Sequence, residues 1–215
     1  WKQVKGQPAP ELSVKNVDAL RDFWRYHIET IQKEKLDVIW QIGFRSAGDK
    51  PFWETFADSP ESEAERAKII ESMLNVQIAL LKNATGEEHP LMKVTLYNEC
   101  SDFVAAGLLK LPDEPNLIWN FVAARRDHFP AVDIRNMNIS SNRPLGYYLN
   151  FDFVSSGSHL AAGEGPWKME KNFRFVDGKS IMPLMFSVVN AGNIREFIRE
   201  LNANALMMWD FNVYN

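Results

Sequence analysis

The apolar residues in the first half of the chain change their spacing from helical to strand-like and back. Between positions 16 and 35 they recur every three or four residues, which predicts an amphipathic helix with Asn16 as its N-cap. The compact apolar run at 37–44 predicts a buried strand. Ser59, followed by a proline, predicts the start of a second helix whose apolar face continues to position 81.

The same alternation continues in the second half. Further strands are predicted at 92–97, 116–122, 147–154, 181–190 and 203–209, and further helices at 102–109 and 193–202. Residues 130–144 lose the periodicity and predict an irregular connection, and 155–165 predict a loop of small residues. Helices and strands that alternate without hairpin signals are typical of a parallel α/β sheet, either an open doubly wound sheet or a (β/α) barrel.

This pattern also predicts the domain organisation. Residues 1–15, with prolines at 8 and 10, are expected to form a tail or a join to a preceding domain, and residues 16–215 a (β/α) domain. Because the last predicted strand lies so close to the final residue, we expect an excised or partial TIM-like barrel.

Composition excludes several classes of partner. The chain has 24 Lys and Arg against 28 Asp and Glu, a formal net charge of −4, so it lacks a basic field for a nucleic-acid backbone or an anionic membrane. No apolar run approaches the ~20 residues that span a bilayer. We therefore expect neither nucleic acid nor membrane as a partner.

The sequence also lacks the motifs of common cofactors. The four histidines share no metal-ligand spacing, and His27 lies on an apolar helix face, where a packing role is expected. The single cysteine, Cys100, excludes a multi-cysteine zinc site and is expected to pack as a small hydrophobic residue. No pyrophosphate-binding glycine pattern and no Gly-x-Ser-x-Gly elbow occurs. We expect no metal and no cofactor.

Polar residues collect at the ends of the predicted strands, where parallel α/β folds bind their ligands. These residues are Arg45, Asp49, Tyr97, Asn98, Glu99, Asn150, Asp152 and Asn190. Amides, carboxylates and aromatic faces on one rim suit a sugar, because hydroxyls take hydrogen bonds and the ring packs on an aromatic face. An arginine there suits a substrate carboxylate.

Each of these residues also has a purely structural interpretation. A salt bridge within a loop would account for Arg45 and Asp49. A helix start would account for Glu99, since acids are favoured in a first turn, and loop caps would account for Asp152 and Asn190. The functional interpretation therefore depends on the joint placement of these residues.

Four segments, at 42–49, 95–99, 146–154 and 189–193, resemble in order and spacing the barrel domain of glycoside hydrolase family 115. This family comprises α-glucuronidases that remove (4-O-methyl)glucuronic acid from xylan. The resemblance implies a TIM-like catalytic barrel within a multidomain enzyme that needs no cofactor. It also implies a secreted or periplasmic protein of bacteria that degrade plant polysaccharide.

The resemblance assigns roles to individual residues. Arg45 and Asp49 match the Arg-Gly-x-Gly-Asp loop of the family. Glu99 matches the glutamate of its Leu-Tyr-Lys-Glu strand end, and Asn190 the asparagine of its Val-Asn-Val-Gly-Asp segment. Glu99 is thereby implied as one catalytic carboxylate, with Asp152, Asp127 or a residue outside this segment as the other. Tyr97, Asn98, Tyr148 and Asn150, which lie in the matching segments, are implied as substrate-binding residues.

The chain departs from the family pattern at three places. Phe121 and Val122 stand where the family has an acidic pair, Asn98 stands in place of a lysine, and Asn150 in place of a histidine. At these positions the resemblance therefore does not carry over the family's specificity for a uronic acid or its catalytic acid/base pair.

The function predicted from the sequence is hydrolysis of a plant polysaccharide or decorated glycan by two carboxylates that flank the glycosidic bond. One alternative is a catalytically silent carbohydrate-binding relative, which the missing acidic pair suggests. Another is a structural domain of a multidomain enzyme. The expected partners are an oligosaccharide or polysaccharide and other domains of the same chain.

Overall fold

The computed structural model describes residues 13–46, 48–122, 137–151, 165–192 and 194–211. The helices are α1 (Val17–Lys33), α2 (Glu63–Thr85), α3 (Glu99–Ala105), α4 (Pro166–Asp177) and α5 (Ile198–Trp209), with 3-10 turns at Phe52–Glu54 and Ile194–Phe197. The strands are β1 (Trp40–Ile42), β2 (Arg45–Ser46), β3 (Lys50–Pro51), β4 (Met92–Leu96), β5 (Leu117–Val122), β6 (Leu145–Asn150) and β7 (Phe186–Asn190). The predicted α/β class is confirmed.

Five strands form one parallel sheet in the order β1-β4-β5-β6-β7. The spatial order of the strands follows their order in the chain, as in a (β/α) barrel, whereas a doubly wound sheet reverses direction at a switch point. The order therefore favours the barrel type of the two predicted folds, and the curled five-stranded sheet corresponds to part of a TIM-like barrel. β2 and β3 form a short antiparallel ribbon that the sequence does not predict.

The described chain falls into two compact units. The first holds the described residues up to Val94 together with Asp102–Leu117, and the second holds Thr95–Ser101 and the described residues from Ile118 onward. None of the helices in these described residues is long and apolar enough to cross a bilayer.

In the first unit an aromatic cluster packs around the chain that follows β1. The ring of Phe44 lies 5.0 Å from that of Phe52 and 5.4 Å from that of Phe56, and all three side chains are buried. Gln77 of α2 holds the backbone at Gly43 with two hydrogen bonds. Gly43 N donates to Gln77 Oε1 at 2.9 Å, and Gln77 Nε2 donates to Gly43 O at 2.8 Å. The loop after β1 is thus anchored through its main chain.

A charged cluster holds the segment that leads into β5. Lys82 Nζ lies 2.6 Å from Glu114 Oε1, and His89 Nδ1 lies 3.2 Å from Glu114 Oε2. Burial alone would raise the pKa of Glu114, but the hydrogen bonds from Lys82 and His89, together with their charges, lower it. The carboxylate of Glu114 is therefore stabilised in its charged form.

In the second unit, the register of β5, β6 and β7 depends on a close approach at Gly146. Gly146 pairs with Asn120 on one side and with Phe186 on the other. A Cβ atom at this position would lie 2.8 Å from Phe186 O and 3.2 Å from Asn120 Oδ1. The opposite face of the sheet packs on helices: Tyr147 OH donates to Asn204 Oδ1 of α5 at 2.7 Å.

The end of the chain differs from the sequence prediction. Residues 203–209, predicted as a strand, belong to the helix α5. Ala203 and Met207, four residues apart, are buried on one face of this helix, so the apolar residues have helical spacing. The pattern of residues 166–177 does not predict α4, because the buried polar residues Lys168 and Asn172 interrupt its apolar face.

The structure also tests the predicted roles of Asn16, Ser59 and His27. Asn16 is the N-cap of α1, as predicted, and its Oδ1 accepts from Ala19 N at 3.4 Å. Ser59 is not the N-cap of α2, because the helix begins at Glu63 and Ser62 occupies the cap position. His27 is exposed and not a core residue, since α1 directs Ile28 inward instead.

The close approach at Gly146 predicts that Gly146→Ala destabilises the fold. The added methyl group would force β6 and β7 apart, at an expected cost of roughly 1–3 kcal/mol in the free energy of unfolding, measured by urea denaturation. Gly43→Ala is the matched control, because its nearest neighbour would be 3.9 Å away, and it should change stability by no more than about 0.5 kcal/mol. Equal effects of the two substitutions would contradict the close approach.

The lowered pKa of Glu114 predicts a loss of stability in acid. A carboxylate whose folded pKa lies below its ordinary value of 4.5 stabilises the fold above that pH, and this stabilisation disappears as the pH falls through the folded pKa. Glu114→Gln should therefore unfold at a lower temperature than wild type at neutral pH, and the two midpoints should converge as the pH falls below the ordinary pKa of a glutamate. Glu87→Gln, which changes an exposed carboxylate nearby, is the control. A difference that does not vary with pH would refute this role of Glu114.

Candidate functional site

Six of the predicted site residues lie at the end of β4, or on β6 and β7 toward their ends, within the second unit. They are Tyr97, Asn98, Glu99, Tyr148, Asn150 and Asn190. Because parallel strands end at the same side of a sheet, we call this side of the second unit the carboxyl edge. It is the side at which (β/α) folds carry their active sites.

Glu99 is a buried carboxylate at the carboxyl edge. Asn98 has a φ angle of 45°, in the left-handed region that asparagine tolerates better than most residues, and it turns the chain from β4 into α3. Glu99 is consequently the first residue of α3, and the residue is only 8 % exposed. The position of Glu99 fits both interpretations, because the residue begins a helix and also places a carboxylate at the carboxyl edge. The catalytic role of Glu99 therefore stays a prediction.

Asn150 and Asn190 form a pair of amides at the last positions of β6 and β7. The two residues are in register, and Asn190 Nδ2 donates to Asn150 Oδ1 at 3.2 Å. The main chain continues the contact, since Phe151 N donates to Asn190 O at 3.0 Å. Two neighbouring amides offer both donors and acceptors, which is the chemistry that sugar hydroxyls require.

Tyr148 lies on the same sheet face as Asn150, because residues two apart in a strand point to one side. That face is opposite the one where Tyr147 reaches α5. Tyr148 is half-buried, in register with Val188 of β7. Its face therefore combines an aromatic ring with the amide pair.

Asn120, on β5, is a further polar residue on this face that the sequence analysis does not select. It is fully buried, and neither its Nδ2 nor its Oδ1 has a hydrogen-bond partner among the residues that the structure describes. Asn120 pairs with Gly146, and because the glycine has no side chain, the side chain of Asn120 can lie over it. The sequence feature that could have pointed to Asn120 is that it is a single amide within the apolar run that forms β5.

The other predicted site residues lie in the first unit or outside the residues that the structure describes. Arg45 and Asp49 belong to the first unit, where the Arg45 guanidinium forms an ion pair with the Asp49 carboxylate. This is the contact that the loop salt-bridge interpretation expects. Asp152 and the alternative carboxylate Asp127 lie outside the described residues.

The described residues contain no cluster of three or more His, Cys, Asp or Glu side chains that could hold a metal ion. Cys100 is buried next to Glu99, as its predicted packing role requires. Among the predicted site residues of the second unit, the chemistry available at the carboxyl edge is therefore one buried carboxylate, the amide of Asn98, an amide pair and tyrosine side chains.

Comparison with known proteins identifies the relatives of the chain. The family model described as Glycosyl hydrolase family 115 matches residues 1–215. No curated protein matches the chain.

The two asparagines on one face predict opposite effects on stability. Asn120→Leu removes a buried amide without a described partner, and it should raise the free energy of unfolding by roughly 1–3 kcal/mol. Asn150→Leu removes the acceptor that Asn190 uses, so it should lower the free energy of unfolding by a similar amount. Urea denaturation measures both changes. Destabilisation by Asn120→Leu would show that its amide has a partner in the fold.

Proposed function

The chain belongs to glycosyl hydrolase family 115, and we propose that the full-length protein removes an acidic sugar, of the glucuronic acid type, from xylan. The observation that carries this proposal is the family match over the whole sequence. The buried Glu99 at the carboxyl edge supports it, because glycoside hydrolysis requires a carboxyl group held close to the glycosidic bond.

Hydrolysis would use two carboxyl groups on opposite sides of the bond. One donates a proton to the leaving oxygen, and the other activates a water molecule that attacks the sugar carbon, which inverts its configuration. We assign Glu99 to one of these roles. Asp152, which follows β6 by two residues, is the proposed second carboxylate.

The amide pair supports a role in sugar binding. Asn150 and Asn190 each carry a donor and an acceptor, so they can bind neighbouring hydroxyl groups once their mutual hydrogen bond opens. We propose Tyr97 and Tyr148 as surfaces for the sugar ring and Asn98 as a further hydrogen-bonding group. Arg45 and its ion-pair partner Asp49, both in the first unit, stay predicted substrate-binding residues.

The proposed enzyme is a complete (β/α) barrel in which further strands extend the five described here. The singly wound strand order supports this proposal, as does the half-buried edge strand β7. We also propose that the enzyme contains other domains and is secreted or periplasmic, since its polymeric substrate lies outside the cell.

Glu99→Gln tests the proposed catalytic role. In the full-length protein it should lower the turnover of glucuronic-acid-bearing xylo-oligosaccharides by about 10²–10⁴-fold, because an amide cannot transfer the proton, while the fold persists. The measurement is the release of the acidic monosaccharide. Glu63→Gln is the matched control, since Glu63 also begins a helix but is exposed; it should alter stability by at most ~1 kcal/mol and leave turnover unchanged.

The pH profile provides a second readout for the same variant. A pair of catalytic carboxyl groups gives a bell-shaped dependence of turnover on pH, and Glu99→Gln should lose one limb of the bell. Wild-type turnover with an unchanged profile would remove Glu99 from the mechanism. Sugar binding by the wild-type protein without release of any monosaccharide would instead favour the silent carbohydrate-binding relative.

A further inference from the structure

Trp167 is an exposed aromatic side chain at the carboxyl edge. It lies in the first turn of α4, directly after Pro166, and it is 64 % exposed. The chain that follows α4 bonds to the start of β6, since Ile181 N donates to Ser141 O at 2.7 Å and Met185 N donates to Leu145 O at 2.9 Å. α4 therefore ends toward the start of β6 and begins toward the edge where Asn150 and Asn190 end their strands. Trp167 therefore stands on the same side of the second unit as the amide pair.

The indole ring of Trp167 packs against the backbone. A Cβ atom at Gly165 would lie 3.3 Å from Trp167 Nε1 and 3.4 Å from its Cδ1, so the ring lies close to a residue without a side chain. This contact restricts the orientation of the ring although most of its surface is open to solvent. A ring with one preferred orientation loses less conformational freedom when it binds a ligand.

A positive charge accompanies the ring. Lys171, one turn further along α4, places its Nζ 5.8 Å from the centroid of the indole. The acid between them in the sequence, Glu170, is directed to Arg174, with 2.9 Å between Glu170 Oε1 and Arg174 Nε. A flat apolar surface with an ammonium group beside it is complementary to a sugar chain that carries carboxylates.

We propose that Trp167 and Lys171 form a binding subsite for the main chain of acidic xylan, outside the pocket that receives the branch sugar. This inference rests on the proposed function. An enzyme that removes a branch must accommodate the rest of the polymer at the rim of its site, and α4 begins at that rim. The pyranose rings of the main chain pack on the indole, and Lys171 favours chains with further acidic branches.

The chain contains a matched control in Trp209. This residue is 89 % exposed, also near a helix end, but at the last position of α5. Phe197, just before α5, packs on Phe151 after the end of β6, with 5.9 Å between the rings, whereas Asn204 already reaches Ser187 near the start of β7. α5 therefore runs away from the carboxyl edge, and Trp209 lies toward the opposite side of the sheet.

Affinity electrophoresis of the full-length protein in gels that contain glucuronoxylan tests the subsite. Trp167→Ala should raise the Kd for this polymer by roughly three- to tenfold, whereas Trp209→Ala should migrate like wild type. Lys171→Met should reduce the preference for glucuronoxylan over neutral arabinoxylan. Both tryptophans are exposed, so both alanine variants should keep the thermal midpoint of the wild-type protein.

Equal retardation of Trp167→Ala and Trp209→Ala, or no retardation of the wild-type protein, would overturn the subsite. Hydrolysis of a disaccharide of glucuronic acid and xylose, which is too short to reach the rim, examines the proposed function separately. Hydrolysis of this disaccharide together with equal retardation would refute the subsite alone. Retardation that depends on Trp167 in a protein that releases no sugar would refute the hydrolase and leave the subsite in place.

Discussion

The second unit depends on the close approach of β6 and β7 at Gly146. The space there is too small for a side chain, so this position fixes which residues of the two strands lie opposite each other. Residues two and four positions later are fixed at the same time, because side chains alternate along a strand. A shift by one residue would turn Tyr148 and Asn150 toward the helices and Tyr147 away from them. The pairing of Asn150 with Asn190 therefore depends on a contact that lies earlier in the two strands, at Gly146 and Phe186.

The elements that can be predicted from the sequence are those whose formation depends on one local physical signal. The apolar spacing of α1 and the cap at Asn16 are local properties, so both could be predicted. Residues 203–209 are rich in large apolar side chains that suit a strand equally well, and their helical state depends on what they pack against. α4 buries Lys168 and Asn172, and a polar residue inside a fold cannot be distinguished from a surface residue by its type alone.

The same limit applies to the candidate site. The positions of Tyr97, Asn98, Glu99 and Asn190 at strand ends follow from the sequence, because a strand end can be located from the last apolar residue. Asn150 is different, since the apolar pattern predicts a strand as far as 154 whereas β6 ends at Asn150. The bond between Asn150 and Asn190 could not be predicted, since it requires the register of two strands that are 36 residues apart in sequence, from 150 to 186. Asn120 and Trp167 were missed for a related reason: their importance comes from burial and exposure, which only the packed structure defines.

The clamp between Gln77 and Gly43 has a consequence for how this protein can evolve. Gln77 recognises only the main-chain N–H and C=O of position 43, and a Cβ atom there would meet its nearest neighbour, Gln41 Nε2, at an ordinary contact distance of 3.9 Å. The anchor is therefore indifferent to the side chains of the loop that follows, in which Arg45 and Asp49 lie. Substitutions at Arg45 or Asp49 therefore leave this anchor on α2 intact, so the side chains of the loop can change while the scaffold below is preserved.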